Sequence, residues 1–203
     1  LAGMNEGTIE NAYATGTVRG YGDRSGGLVG SNRGTITDAY ATGRVYAQTD
    51  GAHNTSTGGL VGSNGAHPRQ SGRASITNAY ATGDVTGIGQ FVGGLVGLNY
   101  TDSTITDAYA TGAVSGNRDV GGLMGSNHYN SIITNIYATG AVSGNEKVGG
   151  LVGSNQGGFM GVSTIENAYA TGDVSGSSDV GGLVGFNDEK STITAGYWDT
   201  DTT

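Results

Sequence analysis

Apolar residues in this chain fall into two short clusters that alternate from one end to the other. The first is a Leu-Val pair set among glycines, as in Gly26-Gly27-Leu28-Val29-Gly30-Ser31-Asn32. The second is an Ile followed by small residues around a Tyr, as in Ile36-Thr37-Asp38-Ala39-Tyr40-Ala41-Thr42-Gly43, with Val45 beyond it. Neither cluster holds a 3.6-residue period for two turns, and each Gly would cost about 1 kcal/mol in a helix interior. Short strands bounded by Gly, Asn, Asp and Ser fit the pattern. It predicts three per unit: at the Leu-Val pair, from Thr through the Ala-Tyr-Ala-Thr stretch, and around the Val that follows.

The clusters recur at fixed offsets. The leucines are Leu1, Leu28, Leu60, Leu95, Leu123, Leu151 and Leu183. Four residues after each stands an Asn: Asn5, Asn32, Asn64, Asn99, Asn127, Asn155 and Asn187. The tyrosines are Tyr13, Tyr40, Tyr80, Tyr109, Tyr137, Tyr169 and Tyr197, each with an Ile four residues before it. Seven units therefore begin near residues 1, 27, 59, 94, 122, 150 and 182 and fill a single repeat domain, 1–203. Length varies at two places only, between Asn and Ile and between Val and the next Gly-Gly. Insertions confined to two sites read as loops leaving a rigid frame. The seventh unit departs from the rest at Tyr197-Trp198-Asp199.

One unit is too small to bury its own core, so the units must stack. The expected fold is all-β, a parallel β-solenoid of about seven repeats. Successive units rise ~4.8 Å, placing Leu on Leu, Ile on Ile and Val on Val. A spacing near 14 residues between the two clusters leaves open a narrower alternative, with two short turns per unit. The recurring Asn residues allow two readings: an amide ladder running from unit to unit, or a side chain that only makes its own turn.

Strict alternation from Ile puts Tyr and Thr on its face and the alanines on the other. A turn at the Asn or Asp before the first Ala would reverse this. The tyrosines then either stack within the core or a sheet-packing face, which is the preferred reading, or form an exposed aromatic ladder able to bind a glycan or other polymer.

Composition narrows the function. Gly is 41 of 203 residues, but with one Pro and no Gly-X-Y period collagen is excluded. A net charge of −8 with no Lys/Arg cluster removes the driving force for nucleic-acid binding. The absence of Cys removes disulfides and thiolate metal sites. No apolar run reaches the ~20 residues of a membrane helix, so no membrane insertion is expected. The chain opens at Leu1 in mid-motif without a signal peptide, as expected of a processed or excised piece.

Candidate chemistry is sparse. His53, His67 and His128 recur in no other unit and read as solvated loop residues, like the loop residue Pro68. Asp188-Glu189 reads as surface charge, and Asp199-Thr200-Asp201 is too short of ligands for a calcium loop. Asn54-Thr55-Ser56 and Asn99-Tyr100-Thr101 fit the glycosylation triplet. Asp38 and Asp107 read as turn residues. No catalytic residue, cofactor or metal is expected.

The Gly27-Leu28-Val29-Gly30 stretch and its six relatives, with the Ala-Tyr-Ala-Thr-Gly stretches and the closing Tyr197-Trp198-Asp199, resemble the GLUG motif family over essentially the whole chain. The resemblance implies a β-solenoid in an extracellular or cell-surface bacterial protein, similar to filamentous-haemagglutinin-like adhesins or the stalks of secreted peptidases. The expected function is a non-enzymatic structural or adhesive module, a stalk or filament subunit. Its expected partners are further copies stacked end to end, other surface or matrix components, and glycans. An ice-binding solenoid is the alternative, since Thr-Ile-Thr recurs at Thr35 to Thr37, Thr104 to Thr106 and Thr192 to Thr194. A polysaccharide-binding or -cleaving β-helix is the weaker one.

Overall fold

A computed structural model describes residues 1–48, 55–65, 73–158 and 161–199, and no helix occurs among them. Each unit makes one wide coil of four short strands. In the fourth coil these are Val96–Tyr100, Thr104–Ala110, Val114–Ser115 and Arg118–Gly121. Equivalent strands of successive coils pair in parallel and build four sheets, two of seven strands and two of six. We call them the Leu-Val sheet, the Tyr sheet, the Val sheet and the return sheet, in the order the chain visits them. Among the described residues there are six complete coils, followed by Val184–Asn187 and Ser191–Trp198, which extend only the first two sheets.

Register follows the sequence motif residue for residue. Ile76 pairs with Ile36 and Ile105, Val61 with Val29 and Val96, and Val85 with Val45 and Val114. Backbone bonds link the leucines directly: Leu60 N–H donates to the Leu95 carbonyl at 2.9 Å and Leu123 N–H to the Leu151 carbonyl at 2.9 Å. Leu123 thus meets the next Leu along the stack, and the narrower two-turn geometry does not occur.

Two details differ from the sequence pattern. The Leu sits in the bend before its strand, which starts at the Val. A fourth strand per coil, the return strand ahead of Gly-Gly, is not among the three expected: its recurring apolar residue, the Val before Gly-Gly, appears only from the third coil on, at Val92, Val120, Val148 and Val180, where the first two coils have Ser25 and Thr57.

Two cores run the length of the stack. The larger combines the Leu-Val pair with Ile and the two alanines of the Tyr strand, including Leu28, Ile36, Ala39 and Ala41. The smaller is a double column of valines between the Val and return sheets, including Val85, Val92, Val114 and Val120. Burying each Leu or Ile contributes about 1.5–3 kcal/mol, so a core one side chain wide is sufficient when repeated.

The Gly of Leu-Val-Gly has a separate cause. A Cβ built on Gly97 would come 2.5 Å from Thr57 N, and one on Gly125 2.5 Å from Val92 N. The Leu-Val sheet therefore lies against the backbone of the return sheet at a distance that admits no side chain.

Candidate functional site

The strand bearing each Tyr is bent at the residue two before it. Asn11, Asp38, Asn78, Asp107, Asn135, Asn167 and Ala195 all have φ between 49° and 55°. Six of these seven are Asn or Asp, the residues that tolerate the left-handed region best after Gly. One left-handed residue shifts the alternation. Ile36, Ala39 and Ala41 all point inward and are buried, while Thr37 and Tyr40 point outward. The preferred placement of the tyrosines in the core or in a packing face is thereby corrected: they lie on the outside of the solenoid.

There they stack. Six rings from Tyr13 to Tyr169 form five consecutive pairs with centroids 4.8–5.2 Å apart and planes within 8° of parallel. The spacing is that of the parallel strands beneath, so the backbone dictates ring contact. Tyr40, Tyr80, Tyr109 and Tyr137 are half-buried by their neighbours, while Tyr13 and Tyr197 are 62% and 69% exposed. Burial, and then its neighbours Tyr109 and Tyr169, push the Tyr137 hydroxyl above the usual phenol range, which keeps it a neutral donor and acceptor. Beside the rings runs an outer row of Asx side chains. Asn135 donates to Asp107 Oδ1 at 2.9 Å, Asn167 to Asn135 Oδ1 at 3.1 Å, and Asn78 to Asp38 Oδ1. A third row holds Thr37, Thr77, Thr106 and Thr134, interrupted at Glu10 and Glu166.

The inner Asn residues form a continuous ladder. Each Nδ2 donates to Oδ1 of the Asn one coil further on, from Asn5 through Asn32, Asn64, Asn99, Asn127 and Asn155 to Asn187, at 2.7–3.0 Å. The same side chains close their own corners: Asn32 Nδ2 reaches the Gly34 carbonyl at 3.1 Å, and Gly34 N–H returns to Asn32 Oδ1 at 3.3 Å. Ladder and turn are one arrangement. Leu28, Leu60, Leu95, Leu123 and Leu151 are fully buried beside it, with Leu183 partly buried at the last coil.

The remaining candidates divide. Asn99 lies buried within the ladder, so Asn99-Tyr100-Thr101 offers no accessible amide for a glycan. Asp188 organises a turn, its Oδ1 accepting from Gly157 N, Lys190 N and Ser191 Oγ. His128 is no solvated loop residue: it ends the strand Met124–His128, and burial, then Lys147, lower its pKa to about 4 against a smaller opposing effect of Asp188. Its sequence signal is its place one residue past the ladder Asn, in register with Tyr100 and Gln156. His53, His67, Pro68 and Asn54 lie outside the described residues, as do Thr200 and Asp201. No cluster of three or more His, Cys, Asp or Glu able to hold a metal occurs among the described residues, nor does any helix long and apolar enough to cross a membrane.

Comparison with known proteins follows the same lines. The family model described as the GLUG motif matches residues 21–46, 53–86, 91–115, 116–143 and 144–175. No curated protein matches the chain. Among solved structures, the chain is similar to a crystal structure of a candidate immunoglobulin A1 protease from Bacteroides ovatus, with 25% identity and a TM-score of 0.69. That likeness covers 94% of this chain and 57% of the other.

Proposed function

The chain belongs to the GLUG motif family, its five matched segments covering most of its length, and from that premise we propose that it is a non-enzymatic structural and adhesive module of a bacterial surface or secreted protein. The solenoid acts as a rigid spacer, and the tyrosine ladder is the face it presents to an extended partner. The observation that carries this reading is the in-register stack from Tyr13 to Tyr169 on the outer surface. A row of stacked, parallel rings with hydroxyls at a ~4.8 Å repeat suits a linear polymer such as a glycan chain, which slides along equivalent sites and gains affinity from many weak contacts. Continuous Asn and Leu columns make the rod stiff, since no coil can tilt without breaking both. The chain spans 57% of the candidate immunoglobulin A1 protease it resembles, so the likeness is to one part of a longer protein.

Two measurements test the proposal together. Electron microscopy of the purified protein is expected to show short rods or rods joined end to end. Co-sedimentation with insoluble polysaccharides is expected to retain the protein, and a Tyr80→Ala/Tyr109→Ala/Tyr137→Ala variant that keeps its β circular dichroism is expected to stay in solution. Retention of the triple variant at wild-type levels removes the ladder from the binding role.

A further inference from the structure

A second surface feature lies on the side of the Leu-Val sheet that faces the return sheet. In the fourth to sixth coils the return strand carries one extra residue in the left-handed region: Asp119, Lys147 and Asp179, with φ of 44°, 53° and 51°. Two of these cover the Leu-Val sheet. Asp119 is 2% exposed, and Lys147 Nζ lies 4.6 Å above the Phe186 ring. In the second and third coils the return strands pair Ser56 with Phe91 and carry no such residue. Over Ser63 and Leu98 a cavity of about 380 Å³ remains, within the ~300–1,000 Å³ of small-molecule sites.

Its walls are chemically distinct from the rest of the molecule. Phe91 and His128 meet edge to face at 5.9 Å and 80°, and His128 and Tyr129 at 5.6 Å and 84°, so the imidazole stands nearly perpendicular to an aromatic ring on each of two sides. Ser56 and His128 both line the cavity, and Ser56 Oγ and His128 Nε2 are buried polar atoms without a hydrogen-bond partner. Ser56 is 2% exposed. Burying such a group without a partner is unfavourable, and a ligand hydroxyl would supply the missing hydrogen bond. The lowered pKa of His128 keeps the imidazole neutral near pH 7, so Nε2 can exchange a hydrogen bond with a hydroxyl without adding charge. Arg24 is exposed at the rim beside the half-exposed Gln90, and among the described lining residues it is the one formally charged side chain, in a chain of net charge −8. A planar guanidinium over a pocket of hydroxyl, imidazole and aromatic groups matches a carboxylate attached to a polyhydroxylated ring.

We propose that this cavity binds one acidic sugar unit, a uronic or sialic acid, with its carboxylate on Arg24, ring hydroxyls on Ser56 Oγ and His128 Nε2, and its apolar ring face against Phe91 and Tyr129. The site is separate from the tyrosine ladder, which lies on a different sheet, and neither reading depends on the other.

The test is an NMR titration of the His128 imidazole in the intact chain with glucuronic acid, N-acetylneuraminic acid and glucose. Saturable shifts with at least one acidic sugar, and about tenfold or more weaker binding of glucose, are expected. Arg24→Gln, at an exposed position where folding is not at risk, is expected to weaken the acidic sugar about tenfold and leave glucose unchanged. Ser56→Ala is expected to weaken all three. No saturable shift at millimolar sugar, equal affinity for glucose, or an Arg24→Gln variant with undiminished affinity for the acidic sugar would each overturn the proposal. All these substitutions spare the tyrosines, so failure here is distinguishable from failure of polymer binding.

Discussion

Ile36 and Tyr40 stand four residues apart on one strand and face opposite sides of their sheet, because Asp38 between them has φ of 52°. In a regular strand the two would share a face. The single left-handed residue puts Ile in the core and Tyr in solvent, and it does so once per coil.

The first prediction concerns that residue. Asp107→Gly is expected to leave stability within about 0.5 kcal/mol of wild type, since Gly enters the left-handed region freely. Asp107→Val is expected to lose about 2 kcal/mol or more, because a β-branched side chain resists φ of 54°, whereas loss of the exposed hydrogen bond from Asn135 is common to both variants. Urea denaturation of both variants checks the difference. Equal stability would show that the bend does not depend on the backbone preference.

Within the Asn ladder, Asn99→Ala removes the acceptor of Asn64 and the donor to Asn127, both buried. Two orphaned groups at about 1–3 kcal/mol each, together with the cavity, predict a loss of about 3–5 kcal/mol by denaturant unfolding. The same change at Asn187, exposed at the last coil, is expected to cost about 1 kcal/mol.

The glycine of Leu-Val-Gly gives a position-dependent test. Gly97→Ala places a Cβ 2.5 Å from Thr57 N, and a backbone neighbour cannot swing away, so a loss of about 3 kcal/mol or more is expected. Gly3→Ala, the same repeat position in the first coil, has nothing within 4 Å and is expected to be nearly silent. Thermal melts of the two variants side by side check this.

Much of this architecture is legible in the amino-acid sequence. The repeat, the all-β class and the parallel stack follow from Leu and Ile recurring at fixed offsets, because stacking is the only way such thin units bury them. The direction of the tyrosines is not legible there. It turns on whether Asp38 and its equivalents keep extended geometry or flip φ, a choice of about 1–2 kcal/mol that side-chain pattern alone does not fix. The return strand is hard to read because its inward position is Val only from Val92 onward and is Ser25 or Thr57 before it, while the position ahead of it varies from Arg24 to Phe91. His128 is misleading because it is unique among the units, and a lone His past a turn looks like loop until its neighbours are placed.

The pH dependence isolates His128. Its pKa of about 4 in the folded chain lies below the ordinary 6.5, so the unfolded chain binds more protons between those values. Stability is therefore full above pH 6.5 and falls as pH drops toward 4, by a total of order 3 kcal/mol. Asp119 acts in the opposite sense: burial raises its carboxyl, with Ser154, Lys147 and Arg118 opposing, so its contribution is lost as pH rises through its folded value. Melting temperature against pH for wild type and His128→Phe is expected to show the slope between pH 4 and 6.5 flattened in the variant. An unchanged slope would mean that the imidazole titrates normally.

The parallel in-register stack is open to a direct distance measurement, since the chain has no Cys and accepts paired spin labels cleanly. Glu10, Thr37, Thr77, Thr106, Thr134 and Glu166 occupy one column on the outer face, in six successive coils. Double electron–electron resonance between labels at Glu10→Cys and, in turn, Thr106→Cys, Thr134→Cys and Glu166→Cys should give distances that grow by ~4.8 Å per added coil, whatever the length of chain between them. Separations that fail to grow with coil number, or that grow in steps far from ~4.8 Å, would contradict the stack and every reading built upon it.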